Sequence, residues 1–229
     1  MKTVAHTMQF MVLLMPLFSI MPWASASGDT AAAGQGPDMI DALRAVGPHA
    51  SLGSGAELLN RLVGTWDVEY SFFSKDGKVR HKSGKFLAGW VMDGRAVQDI
   101  WTVDPSADRK DREIYTSLNY FDPKSGTWYL TFIDPENASP EYPPVARFTG
   151  GPEGGNRIVF LTHDLGGKDD RTNRWSFDLG SDSFVFRDEQ SSDGGKTWRL
   201  LEEDHMTQRA GNSAATVMDG VPRSSIGTG

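Results

Sequence analysis

Along residues 65–72 every second position is apolar: Trp66, Val68, Tyr70 and Phe72 alternate with Thr65, Asp67, Glu69 and Ser71. A period of two belongs to a strand with one buried and one wet face. The same texture recurs between turn signals as far as residue 208. It predicts further strands over residues 79–91, 95–103, 113–121, 127–133, 145–149, 156–163, 173–178, 183–190 and 197–208. Lys75-Asp76-Gly77-Lys78, Asp93-Gly94 and the 122–126 stretch have the composition of hairpin turns. Within 79–91, Gly84 and Gly89 are expected to bend or bulge the strand. Ahead of the alternating region, residues 37–46 place Met39, Leu43 and Val46 on one helical face, and 56–62 form a second short helix running into Gly64-Thr65-Trp66. Strands joined by short turns, with no long helix between them, make an antiparallel meander, and closing it removes the exposed edges. The fold class expected is all-β: a single antiparallel barrel of about ten strands with one or two short N-terminal helices.

The ends of the chain lack this texture. Lys2, the apolar run 10–23 and the small-x-small Ala24-Ser25-Ala26 predict a signal peptide over residues 1–26. Pro16 and the shortness of the run weigh against a membrane span. Residues 27–37 read as a flexible leader, 38–209 as the barrel domain and 210–229 as a disordered tail. The expected location is periplasmic or secreted, with no integral membrane segment left after cleavage. The formal net charge of −7 disfavours nucleic-acid binding. The absence of cysteine excludes disulfides, thiolate nucleophiles and Cys-based metal sites.

Three segments in order carry a resemblance: Leu62-Val63-Gly64-Thr65-Trp66-Asp67-Val68, then residues 90–101 (WVMDGRAVQDIW), then Tyr120-Phe121-Asp122-Pro123 with Trp128. They resemble a bacterial domain family of unknown function whose members have a lipocalin-like (calycin) β-barrel, often behind a signal peptide. The likeness covers about residues 56–209 and implies a barrel with a cavity; it brings no reaction with it. Separately, residues 191–198 (SSDGGKTW) are similar to the aspartate-box turn of sialidases. That turn occurs once here and is expected to be hairpin architecture, its Trp holding the turn to the core.

Candidate chemistry is sparse. No Gly-x-Ser-x-Gly elbow or phosphate loop is present, and His49, His81, His163 and His205 have no metal-ligand spacing. Asp99 shares a face with Val97 and Trp101, and parity alone leaves open whether that face or its opposite points inward. Arg187 is a possible partner for Asp99 on a neighbouring strand. His205 shares a face with Glu203; facing inward it would serve as a general base or as an axial ligand, as in the haem-binding nitrobindin barrels, and the alternative is a solvent-facing histidine. Seven Trp residues exceed what hairpins need, so some are expected to line a cavity suited to a flat apolar or sugar-like ligand. The ligand-binding candidates are Trp90, Asp99, Trp101, Arg187 and His205, and residues 135–144 form a Pro-rich excursion that could cap a barrel mouth.

These features predict an exported, non-enzymatic protein holding a small, partly apolar molecule in its barrel, without cofactor or metal. Two alternatives stand beside it. One is a barrel cyclase, isomerase or hydrolase, or a haem protein, working through Asp99 or His205. The other is a solid scaffold that meets a protein partner.

Overall fold

A computed structural model describes residues 43–136, 143–162 and 171–209. The signal peptide, leader and tail predicted above, and His163, lie outside these residues. Ten strands follow one another: β1 (Gly64–Phe73), β2 (Val79–Val91), β3 (Ala96–Val103), β4 (Glu113–Asp122), β5 (Thr127–Ile133), β6 (Val145–Gly154), β7 (Arg157–Thr162), β8 (Thr172–Leu179), β9 (Ser183–Ser191) and β10 (Arg199–Gln208). Each pairs antiparallel with its neighbour in sequence, and β1 pairs with β10 to close the barrel. No helix among the described residues is long and apolar enough to cross a membrane.

The alternation sets which side chains fill the barrel. Trp66, Val68 and Tyr70 of β1, Val97, Asp99, Trp101 and Val103 of β3, and Phe184, Phe186 and Asp188 of β9 are all buried at every second position. One end is plugged. A 3-10 turn over Ala50–Gly55 runs into helix α1 (Ala56–Asn60), which packs Leu52, Ala56 and Leu59 onto the core with Leu62. Two indoles close the plug by satisfying groups of the helix end: Trp66 Nε1 donates to the Leu62 carbonyl at 2.9 Å, and Trp90 Nε1 donates to Asn60 Oδ1 at 2.8 Å. Arg61 ties the helix to the turns beside it through Asn156 Oδ1 (2.8 Å) and the Leu179 carbonyl (3.2 Å).

Two expectations need correction. The helix expected over 37–46 lies mostly outside the described residues; Leu43 is helical, and the chain has left the helix by Arg44, which bridges Val91, with the Ala45 N–H donating to the Trp90 carbonyl at 2.9 Å. Gly84 makes no bulge, because β2 keeps one register with β1 from Val79 to Ala88 and with β3 from Gly84 to Val91. A Cβ at Gly84 would lie 1.8 Å from the Thr102 carbonyl oxygen and 3.0 Å from the Tyr70 ring. The glycine is there for close approach. The pairing shifts instead at Leu200/Glu202 between β10 and β9, and at Pro152/Gly154 between β6 and β7.

Candidate functional site

The end opposite the plug is where β1, β3, β5, β7 and β9 finish and β2, β4, β6, β8 and β10 begin. Inside it lies a pocket of about 170 Å³, lined by side chains of β1, β3, β4, β5, β8, β9 and β10 and by Asp134 just past β5. Its apolar wall is a closed belt of five rings. Neighbouring centroids are 6.0 Å apart for Trp101 and Tyr115, 5.6 Å for Tyr115 and Phe132, 5.1 Å for Phe132 and Trp175, 5.3 Å for Trp175 and Phe186, and 5.2 Å for Phe186 and Trp101. Most contacts are edge-on or tilted, the arrangement that the ring quadrupole favours.

Carboxylates stand one inward step nearer the mouth. Glu113 is two residues before Tyr115, Asp134 two after Phe132, and Asp188 two after Phe186, so the strand period places each acid on the same inner face as its ring. Glu202 completes the set from β10, opposite Asp188 in the β9–β10 register. Two residues on, Asp204 is wholly buried.

The environment of Glu202 and Asp204 sets their charge. Glu202 is pushed up to about 8, first by its removal from water and then by the charges of Asp188 and Glu113, with a hydrogen bond from Asp204 pulling the other way. Asp204 is held well above the usual carboxylate range by burial and by Glu202, offset only in part by the Ser71 main-chain N–H. The two therefore share a proton and titrate as a pair. Above them Lys82 Nζ lies 3.0 Å from Glu113 Oε1, and Arg109 approaches the other oxygen of Glu113 at 3.7 Å. Tyr115 and Tyr70 are hydrogen-bonded to each other, and Tyr70 O–H donates to the Thr102 carbonyl at 2.9 Å.

The sequence-predicted residues are scattered. Trp101 is part of the ring belt. Trp90 belongs to the plug at the other end. Asp99 does face inward, but as an anchor: its carboxylate accepts from Trp101 Nε1 (2.9 Å), Ser117 N (2.9 Å), Ser117 Oγ (2.7 and 2.6 Å) and Asn119 Nδ2 (3.0 Å). Burial lifts it to about 6 against the pull of those donors. Asp99 thus fixes the Trp101 indole that walls the pocket. Arg187 and His205 stand on the outer face, so neither lines the pocket; for His205 this is the solvent-facing alternative. Arg187 bonds Glu203 Oε2 and Asp178 Oδ2, each at 2.7 Å, and makes no pair with Asp99; His205 is exposed, 3.2 Å from Glu203. Asp99 and His205 therefore point to opposite sides of the sheet and do not form an acid–base pair.

The 191–198 turn is hairpin architecture. Asp193 accepts from Lys196 N, Thr197 N and Thr197 Oγ1, at 3.0, 3.0 and 2.6 Å, and those donors hold its carboxyl at about 2. Trp198 does not enter the core as expected; it lies on the outer face under Arg174, whose guanidinium carbon is 4.1 Å from the ring centroid. The Pro-rich excursion leaves the barrel at the pocket end, where Asp134 N donates to the Pro144 carbonyl at 2.9 Å; residues 137–142 lie outside the described ones.

No protein-family model matches the chain, and no curated protein matches it in sequence. Among solved structures it is similar to the crystal structure of Rv2717c from M. tuberculosis, with a TM-score of 0.50, covering 69% of this chain and 98% of that one. At 11% identity the likeness is one of fold. It supports the ten-stranded closed barrel and leaves the site to be argued from its own residues.

Proposed function

We propose that the protein is an exported binding protein that holds a small, partly apolar molecule in the open end of its barrel. The observation that carries this reading is the five-ring belt around a pocket of about 170 Å³. A cavity of about 150 Å³ is enough to admit benzene, so the space suits one aromatic ring with a short substituent. Opposite it, the plug takes up the apolar packing on which the barrel's stability depends, which frees the open end for a ligand. The export half of the proposal rests on the signal-like start of the chain.

Binding is tested with two one-ring probes, 2-phenylethanol and 2-phenylethylammonium, by saturation-transfer NMR and calorimetry. At least one should bind the wild-type chain. Val103→Phe, which fills the pocket from its wall, should weaken that binding at least about tenfold while the protein still melts cooperatively. If neither probe binds, or if Val103→Phe binds as well as wild type, the pocket is not a ligand site.

A further inference from the structure

Among the described residues, no cation acts on Glu202 or Asp204. Glu202 is half-buried in the pocket wall, and the charged groups that act on it are Asp204, Asp188 and Glu113, all acids. The wholly buried Asp204 has Glu202 as its side-chain partner and the Ser71 main-chain N–H beside it, and neither brings a positive charge. Among the described cations near this end, Lys82 pairs with Glu113 at 3.0 Å, Arg109 with Glu136 at 2.7 Å, and Arg80 lies over the Phe72 ring at 5.8 Å. Buried carboxyl groups in this situation either retain a proton or acquire a positive partner. A metal ion is a poor candidate for that partner, since no group of three His, Asp or Glu side chains among the described residues is arranged to hold one. An anion would meet like charge. An organic cation suits both walls, because aromatic faces attract ammonium groups and their carbon skeletons alike.

Resting on the reading of the barrel as a binding protein, we propose that the pocket takes a small organic monocation, an alkyl- or arylalkylammonium. Its charged head sits on Glu202, with Asp204 behind it, and its apolar body lies within the belt of Trp101, Tyr115, Phe132, Trp175 and Phe186. Entry of the head displaces the shared proton to solvent, so affinity rises with pH through the range in which the pair titrates. The groups facing the pair are Tyr70 from β1, Lys82 from β2, Glu113 and Tyr115 from β4, Asp134 beyond β5, and Asp188 from β9. Lys82 is paired with Glu113 and the rest are acids or phenols, so the acidic field persists across that range. The net charge of −7 draws cations to the protein from a distance.

The test compares 2-phenylethylammonium with the neutral 2-phenylethanol on the full barrel by calorimetry, in buffers of different ionisation enthalpy. At pH 8.5 the ammonium should bind about tenfold or more tighter than the alcohol. Its binding should release a proton, read as a buffer-dependent heat, and its advantage should shrink to threefold or less at pH 5.5. Glu202→Gln should abolish the advantage and the proton release, bringing the ammonium to the affinity of the alcohol in the same variant. Asp204→Asn serves as the second variant, should the first perturb folding. If the alcohol binds as tightly as the ammonium and Glu202→Gln changes nothing, the cation proposal is overturned while the binding reading stands. If neither probe binds, both fall.

Discussion

Glu202 and Asp204 carry a penalty that a barrel built for stability alone would not retain. Each has its folded-state pKa pushed up mainly by burial, and Asp99 shares that direction, to about 6. For such groups the folded state holds more protons than the unfolded state between the two pKa values, so unfolding free energy falls as pH rises. The loss begins near the ordinary carboxylate range and runs through about 6 for Asp99 and about 8 for Glu202. Surface carboxylates work the opposite way. Asp76, Asp93, Asp122 and Asp193 are lowered by hydrogen bonds in their turns, so they stabilise above the ordinary carboxylate range and lose that effect as pH falls below it. The two sets place the stability maximum near pH 5. A series of melts from pH 4 to 9 should show Tm falling from about pH 5 to pH 8. Glu202→Gln, which cannot ionise, should raise Tm at pH 8 and flatten that slope. A wild-type Tm that climbs between pH 5 and 8 would contradict the buried, uncompensated state of the pair.

Among the elements, β2 shows how a single side chain is excluded by packing. Its pairing to β1 and β3 is unbroken, and Gly84 is the point where a Cβ would collide with the Thr102 main chain and the Tyr70 ring. Gly84→Ala should therefore destabilise the barrel by about 1–3 kcal/mol, as overpacking does, measured by urea unfolding. A neutral result would mean that β2 and β3 can separate there without cost. The strands themselves were legible because each is a period-two segment between turn residues; β2 and β5 begin and end where the alternation does. The pocket acids were not foreseen, although their pattern is in the chain. An aromatic residue and an acid two positions apart recur as Glu113-x-Tyr115, Phe132-x-Asp134 and Phe186-x-Asp188, all at strand ends that meet at one mouth. Arg187 and His205 have the opposite parity to the pocket acids of their strands and stand on the outer face. In β10 the apolar Met206 shares parity with Glu202 and Asp204 and marks the inner face, and the pairing shift at Leu200/Glu202 is what sequence parity alone does not show. Asp99 was placed only to within two faces because both faces of β3 carry apolar residues, and its partners Ser117 and Asn119 come from β4.

Taken whole, the barrel has a helix-plugged end and an open end that holds the pocket, and the proposed binding would divide stability and ligand contacts between them. At the plug, Leu59 is fully buried against the core and α1 seals the strands with Trp66 and Trp90. At the mouth, the pocket is lined by groups whose charges are paid for by the packing elsewhere. Substitutions at the two ends should then have separable consequences. Leu59→Ala removes buried methyl groups and leaves a cavity, so it should cost about 2–5 kcal/mol by urea unfolding. Because the aromatic belt lies between the plug and the carboxylates, the affinity for 2-phenylethylammonium should stay within about twofold of wild type under conditions where the variant is folded. Glu202→Gln should do the reverse at pH 8, gaining stability and losing the ammonium. A Leu59→Ala variant that remained folded yet lost the probe in proportion to its stability would show that the two ends act as one unit. The mouth would then be shaped by the same packing that seals the plug.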